Sequence, residues 1–176
     1  LLIVHRLIQP WLEKIPQPLR RHVEGLYYDD KGVREGSAEL LANAKSTHPS
    51  VMRHLFHALK DEHLLVRENA ALALFKYPNK TIVPHLARIS EDKYTHARRS
   101  AVMALSRVRD SSALKPLLKF WKGEDTITLR TILMGIYHNK SKRAPEELAQ
   151  IALAEKGSDW GVEARKMLEE LSKSVR

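Results

Sequence analysis

The sequence predicts an all-α protein built from a stack of helix pairs, and three observations lead to this fold class. A motif centred on an arginine recurs at a nearly constant interval of 31 to 35 residues. Each copy opens a stretch with apolar residues at i, i+4 and i+8, which lie on one face of a helix. The chain has only 7 Gly, and its Val, Ile and Thr residues do not form alternating runs, so a sheet is not indicated.

The motif is clearest in "LVRENAALAL" and "HARRSAVMAL", and it returns in "GVREGSAELL", "TLRTILMGIY" and "EARKMLEEL". Its arginines are spaced by 33, 31, 32 and 35 residues: Arg34, Arg67, Arg98, Arg130 and Arg165. An acidic residue precedes each arginine by five or six positions: Asp29, Asp61, Asp92, Asp125 and Asp159. Another apolar segment at helical spacing lies upstream of each acidic turn. We therefore expect each unit to consist of a helix A, an acidic turn and a helix B, with stacked units burying a continuous core.

This pattern resembles HEAT repeats, in particular the short HEAT-like type also found in phycobilisome lyases. The resemblance lies in the acidic turn, the apolar-Arg start of helix B, as in Val66-Arg67, and the Ala/Leu pattern that follows. It covers most of the chain, from Leu19 to Leu171, and departs where other small or β-branched residues interrupt helix B: Gly36, Ser37, Thr131 and Gly135. The resemblance implies a right-handed α-α superhelix of about five HEAT-like helix pairs, a solenoid that usually holds other macromolecules.

The N-terminal segment, residues 1–17, is expected to form a helix that caps the array in residues 18–176. Its apolar face would carry Ile3, Leu7, Ile8, Trp11 and Leu12. The opening apolar run has four residues, whereas a membrane-spanning helix needs about 20, so no integral membrane segment is visible. A second interpretation, in which these residues are the remnant of a preceding segment, stays open because the chain begins with Leu.

The charge balance indicates an anionic partner without naming it. There are 30 Lys+Arg against 21 Asp+Glu, a net charge of +9, which favours nucleic acid, an acidic protein or an anionic membrane surface. The chain has no Cys, which excludes disulfides, thiolate metal sites and cysteine catalysis. A Cys-free chain is compatible with reducing and oxidising compartments, so localisation stays open, with the cytoplasm slightly favoured. The oligomeric state stays open as well.

The five motif arginines are predicted to form a structural ladder rather than a binding site. A guanidinium can hold a carboxylate at two points, and acidic residues recur in step with these arginines. We expect each arginine to bond an aspartate of its own or a neighbouring turn. The predicted ladder comprises Arg34, Arg67, Arg98, Arg130 and Arg165 with Asp61, Asp92 and Asp159.

A second basic series lies near the C-terminal ends of successive B helices and is the candidate binding surface. Its main members are spaced by 31, 31, 33 and 33 residues, and further cations and a tyrosine lie beside them: Lys45, Lys76, Tyr77, Arg107, Arg109, Lys140, Lys142, Arg143 and Lys173. In HEAT solenoids the B helices usually line the concave side, where such a row would bind phosphates or an acidic protein. The alternative is structural, since cations are favoured at helix C-termini by about 0.3–1 kcal/mol each.

Signals for catalysis and metal binding are weak. His54 and His57 have the i, i+3 spacing of two metal ligands on one helix face, and Asp61, four residues after His57, could supply a third ligand. Asp61 already belongs to the recurring acidic turn, however, which explains its presence without a metal. We therefore predict no metal and no cofactor. The chain contains no G-x-S-x-G, no Gly-rich phosphate loop and no H-E-x-x-H. Asp159-Trp160 resembles, by fold analogy alone, the groove residues of HEAT-like DNA glycosylases.

Three functions stay open at this point. The leading hypothesis is a non-catalytic HEAT-repeat scaffold that binds a protein partner on its concave face. The alternative is a basic solenoid that binds nucleic acid through phosphate contacts, and the third is a HEAT-fold enzyme of the DNA glycosylase type. Protein docking predicts exposed apolar side chains along the groove, phosphate binding predicts a free basic row, and an enzyme predicts a deep pocket with a perturbed carboxylate.

Overall fold

The computed structural model describes residues 2–121 and 124–174, with side chains over residues 7–121 and 124–173. Eleven α-helices follow one another in this part of the chain, interrupted by short 3-10 segments at Lys80–Ile82, Ala87–Glu91 and Ser111–Ala113. The helices are α1 Leu2–Leu12, α2 Leu19–Gly25, α3 Lys31–Asn43, α4 Val51–Ala58, α5 Leu64–Leu74, α6 Val83–Leu86, α7 Thr95–Ser106, α8 Leu114–Lys119, α9 Thr126–Tyr137, α10 Ala144–Ala154 and α11 Asp159–Ser174. No helix of the described residues has the length and apolarity needed to cross a membrane.

Five helix pairs follow α1, each with a shorter A segment and a longer B helix. The B helices are α3, α5, α7, α9 and α11. The first four pack side by side in chain order, and α11 packs on α10 of its own pair. The A segments of the third and fourth pairs combine 3-10 turns with the short helices α6 and α8, which carry Pro84 and Pro116. Proline near a helix start loses little, because the first N–H groups of a helix have no intrahelical partner.

The acidic turns set where the B helices begin. Asp30 and Asp125 are N-caps: the Asp30 carboxylate accepts from Val33 N at 3.0 Å, and that of Asp125 accepts from two backbone N–H groups of α9. Asp61 and Asp92 lie two residues before their N-cap residues, and each accepts from that residue's N–H, at 2.8 and 2.9 Å. Both arrangements satisfy donors that would otherwise have no partner.

The apolar stripe predicted for the B helices forms the core. Val66, Ala70 and Leu74 of α5 are completely buried, as are the equivalent Ala97, Ala101 and Leu105 of α7. Burying a side chain the size of leucine stabilises a fold by about 1.5–3 kcal/mol, whereas alanine contributes mainly by letting neighbouring helices approach. In α9 the equivalent stripe is less completely buried, because Leu133 is buried but Leu129 and Tyr137 are only half-buried.

Helix α1 packs on the first pair through a narrower face than the sequence predicts. Leu12 is fully buried and Ile8 half-buried, but Leu7 and Trp11 are exposed. The Trp11 ring is covered on one side by Arg53 of α4, whose guanidinium carbon lies 3.6 Å from the ring centre in a cation–π contact. The predicted Ile3 side chain lies outside the described residues.

Candidate functional site on the B-helix surface

The arginine ladder joins each acidic turn to the next in the first two units. Arg34 Nε lies 2.7 Å from Asp61 Oδ2, and Arg67 Nη2 lies 2.9 Å from Asp92 Oδ1. The Nη1 group of each arginine donates to two backbone carbonyls of its own turn at 2.8–3.0 Å. One guanidinium therefore ties its own turn to the carboxylate of the following repeat. The hydrogen bond from Arg67 is the main reason that the pKa of Asp92 is lowered.

The third unit modifies this arrangement. Arg98 donates to Glu124 rather than to an aspartate, and the neighbouring Arg99 contacts Asp125 at 2.9 Å. The pKa of Asp125 is lowered, first by the hydrogen bond from Arg99 and further by Thr128. The expectation that Arg98 pairs with an aspartate is wrong, because Asp125 serves as the N-cap of α9 and is bound by Arg99 instead.

The ladder does not continue into the last two units. Arg130 is exposed and forms no ion pair with the described residues, and the exposed Arg165 donates only to the Ala152 carbonyl at 3.2 Å. The expected roles of Arg130, Arg165 and Asp159 are therefore wrong. Glu155 lies in the turn where a partner for Arg130 is expected, but its carboxylate accepts from the Trp121 indole at 3.0 Å. Asp159 is exposed at the start of α11.

Two residues of the predicted binding surface, Lys76 and Tyr77, form hydrogen bonds to the preceding repeat. Lys76 Nζ donates to the carbonyls of Leu41 and Ala44 at the end of α3, and burial lowers the pKa of this lysine. Tyr77 is half-buried, its hydroxyl accepts from His48 N at 3.3 Å, and burial raises its pKa. Lys76 and Tyr77 therefore both connect the end of α5 to the preceding repeat, and their predicted part in binding stays a prediction.

The remaining cations of that row are dispersed, apart from one pair. Arg107 and Arg109 line the same cavity. Arg143 contacts Glu147 at 3.5 Å within α10 and its N-cap. The others are exposed at helix ends or in the loops that follow them: Lys45, Lys140, Lys142 and Lys173.

The cavity that holds Arg107 and Arg109 is an open groove of about 920 Å³ between the end of α7 and the exposed face of α9. It is lined by Pro78, Ser106, Arg107, Arg109, Thr126, Ile127, Arg130, Thr131, Met134, Gly135 and His138. Its base is a close helix crossing, because a Cβ added to Gly135 would lie 2.7 Å from Ser106 Cβ and 2.8 Å from Ser106 Cα. Glycine at this position lets α9 touch the backbone of α7. We call this cavity the α7–α9 groove.

The groove exposes an apolar side chain at a position that the first three repeats bury. The residue four positions after the ladder arginine is completely buried in the first three units, as Ala38, Ala71 and Val102, but in the fourth unit it is Met134, which is 39% exposed. Ile127 of the same helix is 65% exposed. The sequence analysis missed Met134 and Ile127 and assigned Arg130 to the ladder. The departure of Thr131 and Gly135 from the Ala-rich pattern was the available signal.

Charged side chains differ between the B helices α3 and α5 and the B helices α7 and α9. Helices α3 and α5 present Glu35, Glu39 and Glu68, whereas α7, α9 and the segment after α7 present Arg99, Arg107, Arg109 and Arg130. Of the predicted basic row, Lys45 is exposed after α3, and the other exposed members follow from Arg107 onward.

His54 and His57 belong to an aromatic cluster with Tyr27. Tyr27 Oη and His54 Nδ1 share a hydrogen bond of 2.7 Å, and the His57 ring stacks on Tyr27 with centroids 4.8 Å apart. Burial, assisted by the positive charge of Arg53, lowers the pKa of His54 to about 4. No group of three His, Asp or Glu side chains suited to a metal ion occurs in the described residues.

Stacked helix pairs joined through their turns define an all-α solenoid, a repeat scaffold. Residues 23–105 match the family described as HEAT repeats, and the same helix-pair unit extends beyond them to α11. It is similar in fold to an engineered protein whose crystal structure was solved by the Northeast Structural Genomics Consortium, with a TM-score of 0.64 and 19% identity over 88% of this chain and 79% of that one. No curated protein matches the chain.

Proposed function

We propose that this HEAT array is a non-catalytic scaffold that binds a protein partner on its B-helix surface, centred on the α7–α9 groove. The observation that carries the proposal is the exposure of Ile127 and Met134 beside Arg107, Arg109 and Arg130. Exposed apolar side chains rimmed by polar ones are typical of protein-binding surfaces, and Met and Arg are enriched in such interfaces.

The charge pattern supports a protein partner over nucleic acid. A phosphate backbone running along the B helices would meet Glu35, Glu39 and Glu68 on α3 and α5, and like charges repel it. Lys76, a central member of the predicted phosphate row, is bound to the carbonyls of α3. A protein surface with charges of both signs would complement such a polarised face.

The surroundings of Asp159 support a non-catalytic function. This carboxylate is exposed in the first turn of α11 and is not among the residues that line the α7–α9 groove. Trp160 packs edge-on against Trp121, with centroids 6.3 Å apart, so its ring belongs to the packing of the last repeats. An enzyme would be expected to keep its carboxylate in a concave, desolvated pocket.

Site-specific photo-crosslinking tests the proposed function. A photoreactive amino acid is placed at Thr131 or Met103 on the B-helix surface, or at Arg88 or Lys115 on the A segments as a matched control, and the protein is irradiated in a lysate of its source organism. We expect a discrete protein adduct from the B-helix positions and not from the A-segment positions. Nucleic-acid adducts, equal labelling of both surfaces, or no adduct at all would contradict the proposal.

A further inference from the structure

We propose that the α7–α9 groove recognises an acidic, amphipathic segment of the partner protein, with carboxylates on its arginines and an apolar side chain against Ile127 and Met134. This inference rests on the proposed function and specifies the chemistry of the docked segment.

The positive charge of the groove has no internal counterion. Arg107, Arg109 and Arg130 line it, and none of them forms an ion pair with the described residues. No Asp or Glu is among its lining residues. Three guanidinium groups facing one cavity repel one another, and carboxylates that bind between them would relieve this repulsion.

The acids closest in sequence to the groove are already bound. Glu124 contacts Arg98, Asp125 contacts Arg99, and Asp110 accepts from Ser112 N at 3.0 Å. These acids therefore have competing partners, and the structure leaves the groove arginines to an external acid. Arg130 forms no ion pair with the described residues, and Glu155, 25 residues after it, accepts a hydrogen bond from the Trp121 indole.

Arg107 is held in place for such a contact. Its guanidinium carbon lies 4.4 Å from the centre of the Phe75 ring, a cation–π contact. A guanidinium carries five N–H donors, and this contact with an aromatic ring does not use them as ion-pair donors to a carboxylate. A preorganised cation loses less side-chain entropy on binding than a free one.

The apolar part of the groove selects a peptide over a phosphate backbone. Ile127 and Met134 lie seven residues apart on one face of α9, and Pro78 contributes a further apolar group. Met is flexible and adapts to differently shaped apolar side chains. The volume of about 920 Å³ is large enough for several side chains, since cavities of roughly 300–1,000 Å³ enclose drug-sized ligands.

Fluorescence anisotropy with synthetic probes tests this inference. The first probe is a short labelled peptide in which Glu residues flank two Leu residues. The others replace its Leu by Ser, replace its Glu by Lys, or are duplex DNA. We expect the Glu/Leu peptide to bind, its Ser form to bind at least about fivefold more weakly, and the Lys form not to bind.

Charge reversal at the groove provides the matched comparison. The triple variant Arg107→Glu, Arg109→Glu, Arg130→Glu should weaken binding of the Glu/Leu peptide by more than about tenfold. The triple variant Arg21→Glu, Arg88→Glu, Lys115→Glu makes the same change in net charge on A segments and should leave binding nearly unchanged. The single variant Arg130→Gln removes the charge of an exposed side chain that forms no ion pair with the described residues, so we expect it to keep the fold and still weaken binding.

The outcomes separate this inference from the proposed function. If the Glu/Leu peptide does not bind while crosslinks from Thr131 persist, the acidic-segment inference is wrong and the protein-docking function stands. If the peptide does not bind and Thr131 gives no protein crosslink, the proposed protein-docking function is wrong as well. Equal weakening by the two triple variants, or DNA binding as tight as peptide binding without an effect of the Leu→Ser change, would overturn the inference in favour of nonspecific charge or phosphate binding.

Discussion

Arg67 grips Asp92 of the following repeat at two points, with Nε 2.5 Å from Oδ2 and Nη2 2.9 Å from Oδ1. Asp92 Oδ1 also accepts from Tyr94 N at the start of α7. The Asp92 side chain is 6% exposed and that of Arg67 19%, so water screens this pair weakly. One ion pair thereby couples the turn of the second unit to the first turn of the third B helix.

Replacing one partner of this pair should destabilise the array. We expect Asp92→Asn to lower the free energy of unfolding by about 2–4 kcal/mol, because the Arg67 charge would be left desolvated without a counterion. Urea denaturation followed by circular dichroism measures this change. In a double-mutant cycle with Arg67→Met, the coupling energy should be about 1–3 kcal/mol.

The Arg143–Glu147 pair is the matched control for this cycle. Its atoms lie 3.5 Å apart and the Arg143 side chain is 67% exposed. We expect a coupling energy of about 0.5 kcal/mol or less. Similar coupling energies at the two pairs would contradict a special role of the ladder.

Two glycines in B helices should respond to alanine in opposite directions. A Cβ at Gly36 would meet nothing within 4 Å, so Gly36→Ala should stabilise the protein by about 0.5–1 kcal/mol through the higher helix propensity of alanine. A Cβ at Gly135 would collide with Ser106, so Gly135→Ala should destabilise it by about 1–3 kcal/mol. Thermal denaturation should show a higher Tm for Gly36→Ala and a lower Tm for Gly135→Ala than for the wild type. Equal shifts in Tm would exclude a tight α7–α9 crossing.

Lys76 should matter for stability and not for ligand binding. Lys76→Met removes the ammonium that donates to the Leu41 and Ala44 carbonyls, and we expect a loss of about 1–2 kcal/mol. Lys45→Met, at an exposed position after α3, is the control and should change stability by less than about 0.5 kcal/mol. If Lys76→Met instead left stability unchanged and abolished partner crosslinking, Lys76 would be a binding residue after all.

His54 should make the stability depend on pH. Its pKa in the folded protein is about 4, below the unfolded value of about 6.5, so the unfolded chain binds more protons between these values. Stability is therefore full above about pH 6.5 and falls as the pH decreases toward 4. We expect His54 to contribute a loss on the order of 1–2 kcal/mol between pH 7.5 and 5.0.

The variant His54→Gln isolates this contribution, since glutamine does not titrate and still offers Tyr27 a hydrogen-bond partner. Urea unfolding of both proteins at the two pH values gives the comparison. The pH dependence should be smaller in His54→Gln than in the wild type. An unchanged difference would assign it to other groups, such as His57 and His85, whose pKa values burial also lowers.

The helix pairs could be predicted because their signals are local and repeated. An apolar stripe such as Val66, Ala70, Leu74 specifies the buried face of a helix wherever it packs. Arg67 and Asp92 are separated by 25 residues, which is one repeat of 31 residues less the six residues between Asp92 and its own Arg98, so they lie in neighbouring turns of the stack. A donor and an acceptor that recur at the repeat interval therefore meet whenever no third group competes.

The candidate site could not be predicted from the sequence, because it depends on which of several possible hydrogen-bond partners each charged side chain contacts in the folded protein. Glu155 follows Arg130 by 25 residues, the same interval as in the Arg67–Asp92 pair, yet its Oε1 accepts from the indole of Trp121, 34 residues away in sequence, and Arg130 forms no ion pair with the described residues. In the same way, Lys76 of the predicted basic row donates hydrogen bonds to two backbone carbonyls at the end of α3.

The sequence by itself determined the fold class, the repeat interval and the pairing of helices, since each depends on periodicity along the chain. Only the tertiary structure decided which arginines form no ion pair with the described residues, that the α7–α9 groove lies over the close crossing of these helices, and that Ile127 and Met134 are exposed within it. These features depend on distances between side chains of different repeats. Small differences in packing at Ser106 and Gly135 change those distances while the repeat pattern stays the same.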